Sequence, residues 1–419
     1  MALDLPAVSA VVARLPNAQI NLAAWGGVVF PLALLIESPI MMLLAASTAL
    51  SKDWDSFCRL RRYMMWMGGG LTALHALIAF TPMYDVVAVQ LIGAPAEIVE
   101  PARLGLRMML PWTWSIAFRR FHQGVLIRFG HSQAVGAGTV IRLLAEMTVL
   151  IAGLLFKIWP GIAVAGAAIS AGVLSEALYA GLRVRPVLRD QVRDATPIGE
   201  PLMVRSFLQF YIPLAMTSLL LLLTQPIGSA ALSRMPLALE SLAVWPVITG
   251  FVFLLRSPGV AFNEVVVAML DEPDAVRPLK RFSSLLMACA TGLLILVAAS
   301  PLAKLWFEDL SSLEPTLAAL AGQSLWFAFP LPALSVLQSW YQGVILNSRR
   351  TRAVTEAVAI SLIVISFCLV LGVIWGQSVG LYVGWLSFSL GTSAQVAWLW
   401  WRSRGVLGSG DLQDALARS

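Results

Sequence analysis

Eleven apolar runs follow one another along this chain of 419 residues, at 21–49, 63–82, 104–127, 134–156, 160–182, 204–232, 239–270, 282–306, 316–346, 354–375 and 378–401. Only charged or Pro/Gly-rich connections separate them. A hydrocarbon core ~30 Å thick takes ~20 apolar residues of helix, and backbone in lipid must satisfy its hydrogen bonds within the segment. Each run is therefore expected to be a membrane-spanning helix, and the fold class an all-α polytopic membrane protein. An ordinary soluble domain carries about 25% charged residues; this chain has 12%, against 58% hydrophobic, which excludes a soluble globule. The net charge of +6 then reads as a topology signal, and no nucleic-acid partner is expected. Cys58, Cys289 and Cys368, like His75, His122 and His131, have no disulfide or metal-ligand spacing. No phosphate-binding loop, nucleophile elbow or zinc-protease motif occurs. No catalytic residue, metal or organic cofactor is expected, and the chain does not read as an enzyme.

The chain repeats itself at a spacing of 219 residues. Ser38-Pro39 matches Ser257-Pro258, Leu60 and Arg62 match Leu279 and Arg281, and Pro82, Pro111 and Gly161 match Pro301, Pro330 and Gly380. Gln123-Gly124-Val125 matches Gln342-Gly343-Val344, and Arg183 and Arg185 match Arg402 and Arg404. Six spans per repeat is an even number, so both repeats enter the membrane from the same side, as in parallel transporter halves. Two six-helix bundles with a central cleft are expected. The boundaries read 1–185 for the N-terminal bundle, 186–203 for a cytoplasmic linker, 204–404 for the C-terminal bundle and 405–419 for a tail. The first span is short: residues 1–13 reach only ~20 Å at 1.5 Å per residue. The repeat therefore predicts either a chain that begins inside its first helix or a tolerated stub helix, and upstream coding sequence decides between them.

Orientation follows from Lys and Arg. Nineteen lie in the connections after every second span and in the tail, including the clusters around Arg61, Arg185, Arg281 and Arg350. The opposite connections hold five: Arg14, Arg103, Lys157, Arg234 and Lys304. The positive-inside rule puts the first group and the C-terminus in the cytoplasm, so the expected location is the plasma (inner) membrane.

Five arginines remain at membrane depth, Arg107, Arg119, Arg120, Arg142 and Arg256, with Glu37, Glu146, Glu176, Glu264 and Glu356. Ionisable groups there are costly and mark a pathway by default. Glu37 and Arg256 occupy one repeat position just before the Ser-Pro steps, and are expected to meet as a salt bridge that gates transport or holds the bundles in register. Arg119 and Arg120 face Gln338 and Ser339 in the second repeat, and His122 faces Tyr341, so one side is cationic and the other polar. Adjacent residues point ~100° apart on a helix; at least one of the two arginines is expected to bind substrate. Gln338, Tyr341, Arg142 and Glu146 are secondary candidates, Arg142 and Glu146 being four apart and expected to satisfy each other. Pro39, Pro258, Pro111 and Pro330 break helical hydrogen bonds and are expected hinges. His75 is expected to be a packed core residue.

The two parallel repeats, the Ser-Pro steps, the Ala13-Arg14-Leu15-Pro16 segment ahead of Ala24-Trp25-Gly26 and the long basic connection at 183–205 resemble the multidrug/oligosaccharidyl-lipid/polysaccharide flippase superfamily. That resemblance implies two six-helix lobes, a cleft opening alternately to each side by rocking, and secondary export coupled to H+ or Na+. The multidrug and toxic compound extrusion branch would place coupling carboxylates in the first, seventh or tenth helix. Here 204–232 and 316–346 hold no Asp or Glu, and the first helix offers only Asp4. Gln225-Pro226-Ile227, Ser233-Arg234 and Ala243-Val244-Trp245-Pro246 are loosely similar to the progressive ankylosis type of anion exporter. Lipid-linked oligosaccharide flippases also resemble this chain in carrying cleft arginines, which suit a pyrophosphate headgroup. The expected function is secondary export of a small organic molecule, anionic in preference to cationic. A lipid-linked saccharide flippase and a cation-coupled multidrug antiporter are the alternatives. Membrane lipids are the other expected partners, and a monomer the expected state.

Overall fold

The computed structural model describes residues 3–196, 202–270, 272, 275–348 and 352–407, with side chains as far as residue 404. The expected Arg349, Arg350 and Arg418, part of the linker and most of the tail lie outside the described residues. The described residues form α1 (Asp4–Val12), α2 (Ala18–Leu50), α3 (Trp54–Phe80), α4 (Met83–Ile92), α5 (Ala96–Met108), α6 (Leu110–Arg128), α7 (Ser132–Phe156) and α8 (Gly161–Val192). There follow α9 (Val204–Leu232), α10 (Ala238–Met269), α11 (Val276–Ala299), α12 (302–310), α13 (Pro315–Ala328), α14 (Leu331–Asn347), α15 (Arg352–Trp375) and α16 (Gly380–Leu407). Among the described residues nine helices are long and apolar enough to cross a membrane, the α13–α14 pair counted as one. The α5–α6 pair and α16 complete the eleven runs read in the sequence. The chain is a multi-pass membrane protein.

Several ends differ from expectation, each for a local reason. The run at 63–82 begins at Trp54, because Asp53 and Ser56 close a capping box: Ser56 N–H donates to Asp53 Oδ1 at 2.8 Å, and Asp53 N–H donates to Ser56 Oγ at 3.0 Å. Such a cap satisfies two orphan donors and extends the helix into a polar stretch. The run at 104–127 is preceded by about two further turns from Ala96 and is broken at Met109, ahead of Pro111. The run at 282–306 ends at Ala299, and the short helix α12 follows Pro301. Residues 186–192, read as linker, continue α8.

By internal contacts the chain divides into two compact units, residues 7–230 and residues from 231 onward with the segment 3–6, so that α1 and α9 each contribute to both. In the first unit α6 lies against α2, α3 and α8, while α8 also packs on α7 and α5. In the second unit the equivalent pairs recur: α14 with α10, α11 and α16, and α16 with α15 and α13. The 219-residue repeat thus holds in three dimensions down to backbone detail. Lys157 (φ 51°) and Gly376 (φ 62°) share the left-handed conformation at equivalent helix ends, as do Gly93 (φ 74°) and Ser312 (φ 53°). Gly153 and Gly372 sit where a Cβ would lie 2.5 and 2.3 Å from Val164 and Val383, themselves equivalent. Both glycines are required by the close approach of the last two helices of each repeat.

Ahead of the Ser-Pro steps the register shifts by one. Ile162 N–H donates to Asn21 Oδ1 and Leu381 N–H to Ser241 Oγ, each at 3.2 Å, and Asn21 and Ser241 are 220 apart. The extra residue of the first repeat is taken up by a π turn at Trp25–Val29 in α2, the usual accommodation of a single insertion inside a helix. The Ser-Pro pairs themselves have a hydrogen-bond rationale. Proline lacks the N–H that residue i−4 would accept, which removes the i→i−4 bond to the carbonyls of Leu35 and Leu254; at Leu35 the Ser38 backbone N–H donates in its place. Ser38 Oγ donates to Leu35 O at 2.8 Å, and Ser257 Oγ donates to Leu254 O at 2.9 Å. Each serine side chain adds a donor to the carbonyl whose i→i−4 bond the neighbouring proline removes.

Candidate functional site

The charged groups of the first unit converge on Glu176, on α8. Arg119 Nη1 on α6 lies 2.5 Å from Glu176 Oε2, and Gln123 Nε2, one turn further along α6, donates to Glu176 Oε1 at 2.8 Å. Arg142 Nε, on α7, approaches Glu176 Oε2 at 3.6 Å. Arg119, Gln123, Arg142, Glu146 and Glu176 are all buried. Gly172 makes room for the cluster, since a Cβ there would lie 3.1 Å from Arg142 O and 3.3 Å from Glu146 Cβ. A buried arginine must be paired because it cannot deprotonate, and Glu176 supplies that pairing for two arginines at once. The sequence shows Glu176 as one of the costly groups at membrane depth but not as the hub that Arg119 and Arg142 share. Its partners lie 34–57 positions away, beyond any local spacing rule. The repeat carried the signal, since Glu176, Arg119 and Arg142 stand opposite Gln395, Gln338 and Ser361.

The structure thereby sorts the five arginines. Arg119 and Arg142 are held by Glu176. Arg107 Nε donates to Ala79 O at 3.1 Å, and its guanidinium lies 5.0 Å from the Phe80 ring centroid. Arg120, pointing away from Arg119 as adjacency on a helix requires, meets Met41 Sδ at 3.7 Å, a weak acceptor, and its Nε has no hydrogen-bond partner. Arg256 is half-buried on α10, its Nε likewise without a partner. Among the described residues of its own unit no carboxylate acts on it. Glu37 is 2% exposed on α2, one Oε lacks a hydrogen-bond partner, and the cations acting on it are Arg120 and then Arg119. Glu37 and Arg256, expected to meet, belong to different units, and each is described with the neighbours of its own.

The remaining candidates are placed as follows. Gln338 is half-buried on α14, and Tyr341, one turn on, packs against the cluster that contains Phe262, Val336 and Trp340. Pro39 lies in a short 3-10 turn of α2 and Pro258 within the continuous α10. Pro111 and Pro330 open α6 and α14 at the two helix breaks. At the first of these, His75 is fully buried, with Nε2 2.9 Å from Leu106 O and Nδ1 2.8 Å from Thr113 Oγ1. Its Nε2–H satisfies a carbonyl that the break exposes, so it is a core residue with a defined task. The proline carbonyl of Pro39 accepts from Tyr211 Oη on α9, and the Tyr63, Phe207 and Tyr211 rings stack in sequence at 4.7 and 5.0 Å. Among the described residues no group of three or more His, Cys, Asp or Glu is placed to hold a metal ion.

This arrangement of helices matches known transporters along nearly the whole chain. A multidrug resistance transporter of the MATE family, of the MOP superfamily, in its inward-facing conformation, superposes with a TM-score of 0.78 at 14% identity, over 98% of this chain and 96% of that one. The lipid II flippase MurJ in an inward closed conformation gives 0.70 at 13% identity, over 96% and 86%. A MOP superfamily transporter from Pyrococcus furiosus, described as having a binding pocket of reverse polarity, gives 0.60 at 15% identity, over 97% and 96%. No family model matches the chain, and no curated protein matches it by sequence. The chain therefore has the fold of the MOP superfamily, the grouping that its Ser-Pro steps and parallel repeats resemble.

Proposed function

We propose that the chain is a secondary active exporter of a small organic anion, working by alternating access in the plasma (inner) membrane with its Arg-rich connections and C-terminus in the cytoplasm. It is a transporter and not an enzyme. The observation that carries the anionic preference is Arg256, a permanent cation at membrane depth with no carboxylate of its own unit acting on it. An arginine so placed calls for an anion. Arg120, whose protein acceptor is a sulfur atom, is the second attracting group, and Glu37 is the carboxylate that yields its arginine when the anion arrives. A ligand shifts a two-state equilibrium only by its differential affinity, so an arginine that exchanges partners is where coupling would reside.

The test has two stages. Metabolite profiling of medium from overexpressing and deletion cells identifies the exported anion, and efflux of that anion from loaded vesicles is then measured for Arg256→Ala and Glu37→Gln. Both variants are expected to lose most of the efflux, and unchanged rates in both would falsify the mechanism. The likeness to MurJ favours a second reading, flipping of a lipid-linked saccharide. Accumulation of a lipid-linked precursor on deletion, with no anion lost from the medium, selects it. Cation-coupled multidrug antiport, suggested by the MATE likeness, is selected if deletion sensitises cells to cationic drugs and Arg256→Ala leaves resistance intact.

A further inference from the structure

Between α5, α7 and α8 the first unit encloses a cavity of about 370 Å³, opening beside the connection 157–160. Its walls include Met108, Ala152, Gly153, Phe156, Ala163 and Ala167, and every residue that lines it is apolar. Water has no partner in such a space. At the mouth Phe156, Ile158 and Trp159 are 71, 77 and 59% exposed, and Lys157 between them is exposed and held in the left-handed conformation, φ 51°. An exposed tryptophan and a lysine at the end of two spans is the pattern of the headgroup level of a bilayer.

The second repeat is the internal control. Met108, Ala152, Ala163 and Ala167 are replaced there by Phe327, Leu371, Tyr382 and Leu386, and Lys157 by Gly376. The Phe327 and Tyr382 rings stack at 5.2 Å, with the Tyr382 hydroxyl donating to Gln323 Oε1 at 2.5 Å. The backbone frame is shared, including the Gly153–Val164 and Gly372–Val383 contacts. One repeat fills the space with aromatic rings and carries no cation at its rim. The other leaves the space open and carries Lys157 between Phe156 and Ile158, two residues that line it.

We propose that this cavity is a binding site for one acyl chain of an anionic phospholipid, with Lys157 at the headgroup phosphate. The ligand is committed by the coincidence of an apolar slot between α5, α7 and α8 with a cation in the connection that closes its lining. A soluble apolar molecule would not need Lys157, and a free phosphate would not need the slot. The site is independent of the transport reading, because none of its residues belongs to the charged cluster.

The experiment uses the full chain in nanodiscs containing a phospholipid with a diazirine in its acyl chain, carrying either a phosphatidylglycerol or a phosphatidylcholine headgroup. After irradiation the labelled peptides are mapped by mass spectrometry. The expected result is labelling concentrated in residues 149–167, about five-fold stronger for phosphatidylglycerol, the factor that one lysine's attraction to an anionic surface gives. Lys157→Gln should bring phosphatidylglycerol down to the phosphatidylcholine level. Ala152→Leu/Ala163→Tyr, which copies the second repeat, should abolish labelling of the segment in protein that remains monodisperse. Equal labelling by the two lipids, labelling spread over the exposed faces of all helices, or labelling that survives the filled variant would overturn the proposal.

Discussion

The two repeats solve one packing problem with opposite chemistry. Where the first buries Arg119, Gln123, Arg142, Glu146 and Glu176, the second has Gln338, Gln342, Ser361, Ile365 and Gln395. The helices that carry these residues, α6, α7 and α8 against α14, α15 and α16, pack in the same pairs. The charged solution is therefore not required by the fold. Buried ion pairs commonly add little net stability over apolar or neutral replacements, while breaking one is costly. The difference teaches that the shared frame does not itself demand these charges, and that the second unit shows what it tolerates without them.

The strongest way to break this comparison is to move the second repeat's chemistry into the first. Glu176→Gln removes the carboxylate that Arg119 and Arg142 share and is expected to destabilise by about 3–5 kcal/mol, read as a lower melting temperature in detergent. Adding Arg119→Gln, which reproduces Gln338 opposite Gln395, should recover most of that loss. A double variant as unstable as the single one would mean that the cluster is structural after all. Next in size are Gly153→Ala and Gly372→Ala, which push a methyl group into Val164 and Val383. Each should cost about 1–3 kcal/mol by overpacking, and Val164→Ala should rescue the first. A response in only one repeat would show that the shared frame is shared in outline alone.

His75 has Leu294 as its counterpart, so His75→Leu tests whether the break at Met109 needs its clamp. The variant leaves Leu106 O and Thr113 Oγ1 to find other partners, with an expected cost of about 1–3 kcal/mol, near the lower end because a hydroxyl can rotate. The smallest effect has the opposite sign. Lys157→Gly copies Gly376 and removes a side chain from the left-handed region, where an L-residue is disfavoured by roughly 1–2 kcal/mol. Offset by the greater freedom of glycine in the unfolded chain, the net gain should be about 0.5–1 kcal/mol, measured in lipid-free detergent.

Much of this fold was legible in the chain. Spans could be read because lipid imposes a length and an apolar composition, and the repeat because Ser38-Pro39, Gln123-Gly124 and Gly161 hold one register with their partners. Helix ends were less legible where polar residues continue a helix, as Asp53 and Ser56 do by capping each other. The short helices α4 and α12 escaped notice because they are connections with no membrane-crossing length. The site was legible as a set of costly residues but not as a set of partners. Arg119 stood out without its partner, since nothing local to it in sequence reveals Glu176.

The serine that accompanies each bend has a bearing on water. A proline kink inside a span ordinarily leaves a carbonyl that must find a solvent molecule or a ligand, and a row of such waters is a route along which protons can leak. With Ser38 and Ser257 donating to the carbonyls of Leu35 and Leu254 from within the same turn, neither proline calls for a water at that acceptor. A span that brings its own donor to a proline leaves no vacancy for a water at that acceptor.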